Sequence, residues 1–295
     1  MHRQFIFFSL GIVILLGITA AILFPRRTVP TEQQTQPAQR HISAWVRDGY
    51  YDPLFAAVDA QLVNNDRTVV AAIVNHHLFA PDLIATTLHA ISGAQPSVVV
   101  LVSPNHFGIG SGAFVTSAWG WVTMSGNLAG APELARVLEK TGRVTIDEPV
   151  FEKEHGVFNV VTFIRHYFPG AKLLPIIVRE QAAEDDIDGL AVRLDGILPA
   201  DALVIGSFDF SHYKKDAVAQ ANDAVSMRVL GQLDADHTAG LDIDSTKGLR
   251  LLLRYAQLRG ATAFHLTGHF SSAERIGDPE TTENTSYITG FFTVP

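Results

Sequence analysis

The chain contains no cysteine, which excludes disulfides, a thiolate nucleophile and any Cys-based zinc or iron-sulfur site. It has no dense Lys/Arg stripe, and a formal charge of -8 argues against nucleic acid, whose binding rests on neutralising phosphates. Other signatures are missing too. There is no Walker A sequence, no GxSxG elbow and no GxGxxG opening a helix, so the usual nucleotide and serine-hydrolase readings lose their support. Gly108, Gly110 and Gly112 in "FGIGSG" read as loop flexibility rather than a phosphate cradle. What the chain does have is a hydrophobic fraction of 47% over 295 residues, enough for a sizeable core and too much for disorder throughout.

One long apolar run opens the sequence. "FIFFSLGIVILLGITAAILF", Phe5 to Phe24, is uncharged and long enough to cross a hydrocarbon core of ~30 Å. It exceeds a signal-peptide h-region of about 7–15 residues, and no small-x-small cleavage site follows. Residues 1–27 are therefore expected to be an uncleaved, single-pass membrane anchor. Arg3 and the amino terminus lie on one side of it, Arg26 and Arg27 on the other, so the positive-inside comparison is nearly a tie. "TVPTEQQTQPAQR" cannot bury a core and reads as a flexible tether over 28–41. Such a tether suits an extracytoplasmic domain, expected over residues 42–295 because no second linker or fixed-period repeat interrupts them.

Within that domain short β-branched runs alternate with helical patterns. "TVVAAIV" precedes "PDLIATTLHAIS", "PSVVVLV" precedes "APELARVLEKTG", and "AKLLPIIV", "DALVIGSF", "ATAFHLT" and "TSYITGFFTV" follow later helical stretches. Runs such as "SVVVLV" are apolar without alternation, as expected for strands covered on both faces. The predicted fold is a three-layer α/β/α sandwich with a mostly parallel or mixed central sheet. In such sheets ligands bind outside the carboxyl ends of the strands, so polar residues just after a strand carry the most weight.

Three histidine segments obey that rule: "VNHHLFAP" with His76 and His77, "VSPNHFG" with His106, and "FDFSHY" with Asp209 and His212. A fourth, "FEKEHGVFN", sets Glu154 and His155 just before a helix. Neutral imidazole and carboxylate oxygens together suit a borderline divalent metal, either a non-haem iron site or a zinc hydrolase. His89, His166 and His237 fall in or beside helical patterns and read as packing or surface residues, while His265 and His269 could flank the site from a late strand.

"SPNHFG", then "KEHGVFNVVTFIRHYFP", "FDFSHY" and "TSYITGFFTV", in this order, resemble the Memo family, including the AmmeMemoRadiSam system protein B members. That resemblance covers roughly Ala71 to Val294 and implies the fold of the class III, LigB-type extradiol dioxygenases, with a metal pocket at strand ends. Residue by residue, it places the metal ligands on His77, with His76 as rival, on His106, and on Asp244, with Asp242 in "LDIDS" as the nearby alternative. Asp244 takes the position of a family cysteine, and a carboxylate there favours iron(II) or another divalent ion such as zinc over copper(I). Asp209, His212 and His155 are then expected as acid/base or supporting groups beside the ion. A non-catalytic module using the same pocket for a small molecule or peptide is the competing expectation.

Overall fold

A computed structural model of the chain describes residues 39–44, 47, 49–63 and 66–295. The expected anchor and most of the tether lie outside the described residues. No helix among the described residues is long and apolar enough to cross a membrane.

In chain order the strands are β1 (Arg40–Ile42), β2 (Val69–Val74), β3 (Val98–Pro104), β4 (Phe114–Thr116), β5 (Gly120–Thr123), β6 (Gly126–Gly130), β7 (Val144–Ile146), β8 (Lys172–Val178), β9 (Leu203–Ser207), β10 (Ala263–Ser271) and β11 (Ser286–Thr293). The helices are α1 (Asp52–Asp59), α2 (Pro81–Ala90), α3 (Pro132–Glu139), α4 (His155–Phe158), α5 (Val161–Tyr167), α6 (Glu184–Ile197), α7 (Asp216–Gln232), α8 (Thr246–Leu258) and α9 (Ser272–Ile276). One mixed sheet runs β1-β5-β6-β8-β3-β9-β2-β11-β10. Its centre, β8-β3-β9-β2, is parallel, and β11 and β10 close one side antiparallel.

The unbroken apolar runs have the predicted cause. Val98, Val100 and Val102 join one buried layer with α3, α6 and α8, while Val99 and Leu101 join another with α1, α2 and α5. A period of two thus puts every side chain of β3 into a core. Because β2, β3 and β9 are parallel and in register at Val74↔Ser207 and Val102↔Gly206, their carboxyl ends open together on one edge. His76, His106 and Asp209 follow those three ends directly.

The tether expected through residue 41 stops earlier. Arg40–Ile42 pairs in parallel with Gly120–Val122, and the His41 ring is buried beside Trp119, Trp121 and Phe151. Its Nε2 lies 2.9 Å from Glu148 Oε2 and 3.1 Å from Ser117 Oγ. Composition alone hides this, because a single buried histidine with two polar partners can hold down a short strand in an otherwise polar stretch.

Candidate metal centre

The strand ends and the turn before α8 enclose a cavity of about 480 Å³ lined by His76, His77, His106, His155, Asn159, Asp209, His212, Tyr213, Asp244 and Thr285. Two overlapping groups in it have ligand atoms within 4.8 Å of one another: His76 with His106 and His155, and His76 with Asp209 and Asp244. His76 belongs to both.

Hydrogen bonding fixes which nitrogen of His76 faces the cluster. Ser207 Oγ donates to Gly156 O at 2.6 Å, so toward His76 Nδ1, 3.2 Å away, that oxygen can only accept, as can Ser207 O at 3.3 Å. The proton therefore sits on Nδ1. Nε2 is left with its lone pair, 3.4 Å from Asp244 Oδ2 and 3.5 Å from Asp209 Oδ2. Burial, with His106 and His155 nearby, pushes the His76 pKa well below its usual value, so this ring is a neutral donor, the form that binds metals.

His106 is gripped at two points by Glu154. Its backbone N–H donates to Oε2 at 3.0 Å and its Nδ1 lies 2.5 Å from Oε1. Glu154 is itself buried and caps α4, accepting from Gly156 N at 3.0 Å; burial would raise its pKa, but the contact with His106 outweighs that and lowers it. Nε2 of His106 is thereby aimed at Asp244, 3.8 Å from Oδ2. A carboxylate behind a histidine in this way is the usual support of a metal-binding imidazole. Although burial alone would lower the His106 pKa, hydrogen bonds to Asp244 and Glu154 hold it up at about 9.

Asp244 and Asp209 are locked together by two main-chain contacts. Asp209 N donates to Asp244 Oδ2 at 2.9 Å, and Asp244 N donates to Asp209 O at 3.1 Å. Asp209 Oδ1 in turn accepts from His76 N at 3.1 Å. Burial raises both carboxylates, Asp244 to about 7. Asp244 Oδ1 is buried without any hydrogen-bond partner. Such an oxygen is costly unless a proton or cation meets it. Two atoms bound to one ion at about 2.0–2.3 Å lie about 3–4 Å apart, the spacing seen between Asp244 Oδ2 and the two imidazole nitrogens. The donor set fits a divalent ion.

The sequence-predicted residues fall as follows. His106 and Asp244 enter the cluster. Of the pair at the end of β2, His76 is turned inward, while His77 is exposed on the cavity wall with its Nδ1 2.8 Å from Tyr287 Oη. Asp242 is turned away, accepting from Asn222 Nδ2 at 2.8 Å. His155 packs against His106 in a tilted arrangement with ring centroids 3.9 Å apart. His212 lines the cavity outside both ligand groups, its backbone bridged to Thr285. His265 and His269 do not flank it: they pair with Thr293 Oγ1 and with the buried Asp223. His89, His166 and His237 bond Gln61 O, Asp59 and Asp234. Glu154 in this supporting role was not foreseen; its place at a helix N-cap beside a loop histidine was the available signal.

Fold and cavity define an α/β protein with a His- and Asp-lined pocket able to hold a metal ion at parallel strand ends. The family model described as "Memo-like protein" matches residues 40–278, and the chain belongs to that family. A MEMO1 family protein from Methanothermobacter thermautotrophicus is 26% identical over 234 residues, 73% of this chain and 82% of that one. Another from Caldivirga maquilingensis is 26% identical over 200 residues, 62% and 68% of the two chains. The crystal structure of an uncharacterised Escherichia coli K12 protein matches with a TM-score of 0.52 at 13% identity, over 76% of this chain and 99% of that one, a likeness of fold alone.

Proposed function

We propose that the cavity is a single divalent-metal centre in which His76, His106 and Asp244 hold the ion, iron(II) in the first instance, and that it supports redox or dioxygenase-like chemistry. The observation that carries this reading is the Asp244 carboxylate, whose Oδ2 lies 3.4 and 3.8 Å from Nε2 of His76 and His106 while its Oδ1 is buried and unpartnered. Nitrogen and carboxylate donors without a thiolate favour iron or zinc over copper(I). A bound ion would supply Lewis acidity and, if iron, a one-electron couple. The protein's part is to orient the ligands through Glu154, Ser207 and Asp209, and to present His212 and His155 at the wall as proton carriers. Burial lowers the pKa of both, leaving neutral rings able to accept a proton at pH 7. Metal analysis of the purified chain after anaerobic iron loading tests the reading. It fails if no stoichiometric metal is held and His106→Ala binds as much as wild type.

One observation favours a second reading. His76, His106 and His155 form an all-histidine group, the donor set of a catalytic zinc site. Hydrolysis of an ester or amide panel by the zinc-loaded chain, abolished in His155→Ala, would select it over iron chemistry.

A further inference from the structure

Helix α7 is seated on the sheet differently from its neighbours. The inward side of α8 carries Leu249, Leu251, Leu252 and Leu253, and that of α6 carries Ile187, Leu190 and Leu194. Along most of α7 the buried residues are instead Asp216, Ala219, Asp223 and Ser226, with Val229 and Leu230 only near its end. Such a seam gains little from apolar burial. Hydrogen bonds and charge must hold it.

Two buried carboxylates lie on that seam, about two turns apart. Asp216 accepts from Ser271 Oγ at 2.5 Å and from Gln220 Nε2 at 2.6 Å. Asp223, 1% exposed, accepts from Ser286 Oγ at 2.8 Å and from His269 Nε2 at 2.9 Å. Of these donors only His269 can carry a charge, and a buried carboxylate is costly without one.

Ser286 links that carboxylate to the cavity. Its main chain pairs with the segment between Asp209 and His212: Phe210 N donates to Ser286 O at 3.0 Å, and Ser286 N donates to Ser211 O at 2.9 Å. The pairing continues through the bridge between His212 and Thr285 and the bond from Tyr213 N to Asn284 O at 2.8 Å. Tyr213 is held there with φ of 56°, a left-handed backbone unfavourable for a bulky residue. Ser211 Oγ on the wall segment and Ser226 Oγ on α7 are buried with no partner. A strained and incompletely bonded wall thus leans on Asp223.

His269 is placed to respond to solvent. Its side chain is one quarter exposed, and the charged groups facing it, Asp223 and Asp216 from α7 and Glu274 from α9, are all acidic; β11 sets the uncharged Ile288 opposite it. The bond to Asp223 raises the His269 pKa above its ordinary 6.5, against partial burial, with the charges of Asp223, Glu274 and Asp216 adding to the rise. A group raised in this way stabilises the fold fully below its unfolded value, and the contribution is lost as pH rises through its folded value. The neutral ring still donates from Nε2, but a bond without charge assistance has about half the strength.

We propose that His269, Asp223 and Ser286 form a proton-dependent latch that fixes α7 and the 210–213 wall of the cavity, fastened while His269 is charged and loosened when it is neutral. The latch does not require that the cavity hold a metal. His269 and Asp223 are positioning residues in it, and neither lines the cavity.

Hydrogen exchange of the full, metal-free chain, read by mass spectrometry at pH 5.5 and 8 and corrected for the intrinsic rate, tests the latch. Peptides from 210–213, 284–287 and the start of α7 are compared with peptides from β3 and β8. In wild type, protection of the latch peptides should fall by at least about threefold at the higher pH, while β3 and β8 change by less than about twofold. His269→Gln keeps a neutral donor and cannot be charged; its latch peptides should be poorly protected already at pH 5.5 and fall by clearly less. Asp209 and His212 are common to both proteins, so the difference between them reports His269 alone. Asp223→Asn removes the carboxylate that needs the charge and should behave as His269→Gln does. Unchanged protection in wild type, an equal fall in β3 and β8, or a fall of the same size in either variant that folds would overturn the proposal.

Discussion

Asp244 Oδ2 lies 3.4 Å from Nε2 of His76, and the other oxygen of the same carboxylate is buried with nothing to accept from. An unsatisfied buried acceptor costs about 1–3 kcal/mol, and a charged one more. The pair is therefore poorly arranged as a salt bridge and well arranged as two corners of a coordination sphere.

That relationship separates the adjacent histidines. His76→Ala should abolish stoichiometric metal binding, because it removes the one residue common to both ligand groups. His77→Ala should keep the metal, since that ring engages Tyr287 instead. Metal-to-protein ratios after loading and desalting decide the matter, and loss of metal in His77→Ala would return that residue to the ligand set.

Acidification should release the ion in two stages. With Asp244 at about 7 and His106 at about 9, a metal displaces one proton between those values and two below the lower one. Apparent affinity should then fall about tenfold per pH unit from 9 to 7 and about a hundredfold per unit beneath 7. Below about 6.5 the lowered values of His76, His155 and His212 oppose the raised one of Asp244, but above pH 7 those three rings are neutral in both states while folded His106 still holds its proton. The metal-free protein should therefore lose stability as pH rises from 7 to 9. Thermal melts of the metal-free chain at pH 7, 8 and 9 would show a falling Tm, and a Tm that rises instead would mean that His106 is not held in the protonated form.

Glu154 should matter without touching the ion. Glu154→Gln keeps the shape but weakens the pairing behind His106, and loss of such support typically lowers metal affinity 10–100-fold. Gly156→Ala offers a steric route to the same end. A Cβ there would meet Ser103 Oγ at 2.3 Å and Glu154 Oε1 at 3.2 Å, displacing α4 from β3 at a cost of about 1–3 kcal/mol. Calorimetric zinc titration and chemical denaturation separate the two. Wild-type affinity in both variants would remove Glu154 from the site.

Much of this was legible in the sequence because the central strands are long, apolar and bounded by histidine-bearing loops. "SVVVLV" and "LLPIIV" announce strands buried on both faces, and parallel order then brings their following residues together. The short strands Phe114–Thr116, Gly120–Thr123 and Val144–Ile146 were not legible; three or four residues carry too little periodicity to stand out from a loop. The sequence alone does not separate His76 from His77 for a related reason. At the end of a strand a shift of one residue reverses the face, and only the contacts of Ser207 and Tyr287 determine which ring turns inward. The preference for Asp244 over Asp242 came from the family resemblance, which sets Asp244 just before the helix "TKGLRLLL"; in the structure it directly precedes Ser245, whose side chain caps α8 by accepting from Gly248 N.

The last prediction concerns His212, where holding a metal and using it part company. The ring lines the cavity but belongs to neither ligand group. Burial lowers its pKa, opposed by the charges of Asp209 and Asp242, so near neutral pH it is unprotonated and can take a proton from a bound molecule. A general base of this kind contributes about 10²–10⁴-fold to rate without holding the ion. His212→Ala should therefore retain wild-type metal content while lowering, by that factor, any substrate-dependent turnover that the metal-loaded chain shows. The acid limb of the pH-rate profile should vanish with it, a change that a structural role would not produce. Metal lost from His212→Ala would make the residue a ligand, and an unaltered rate with an unaltered profile would leave proton transfer to His155.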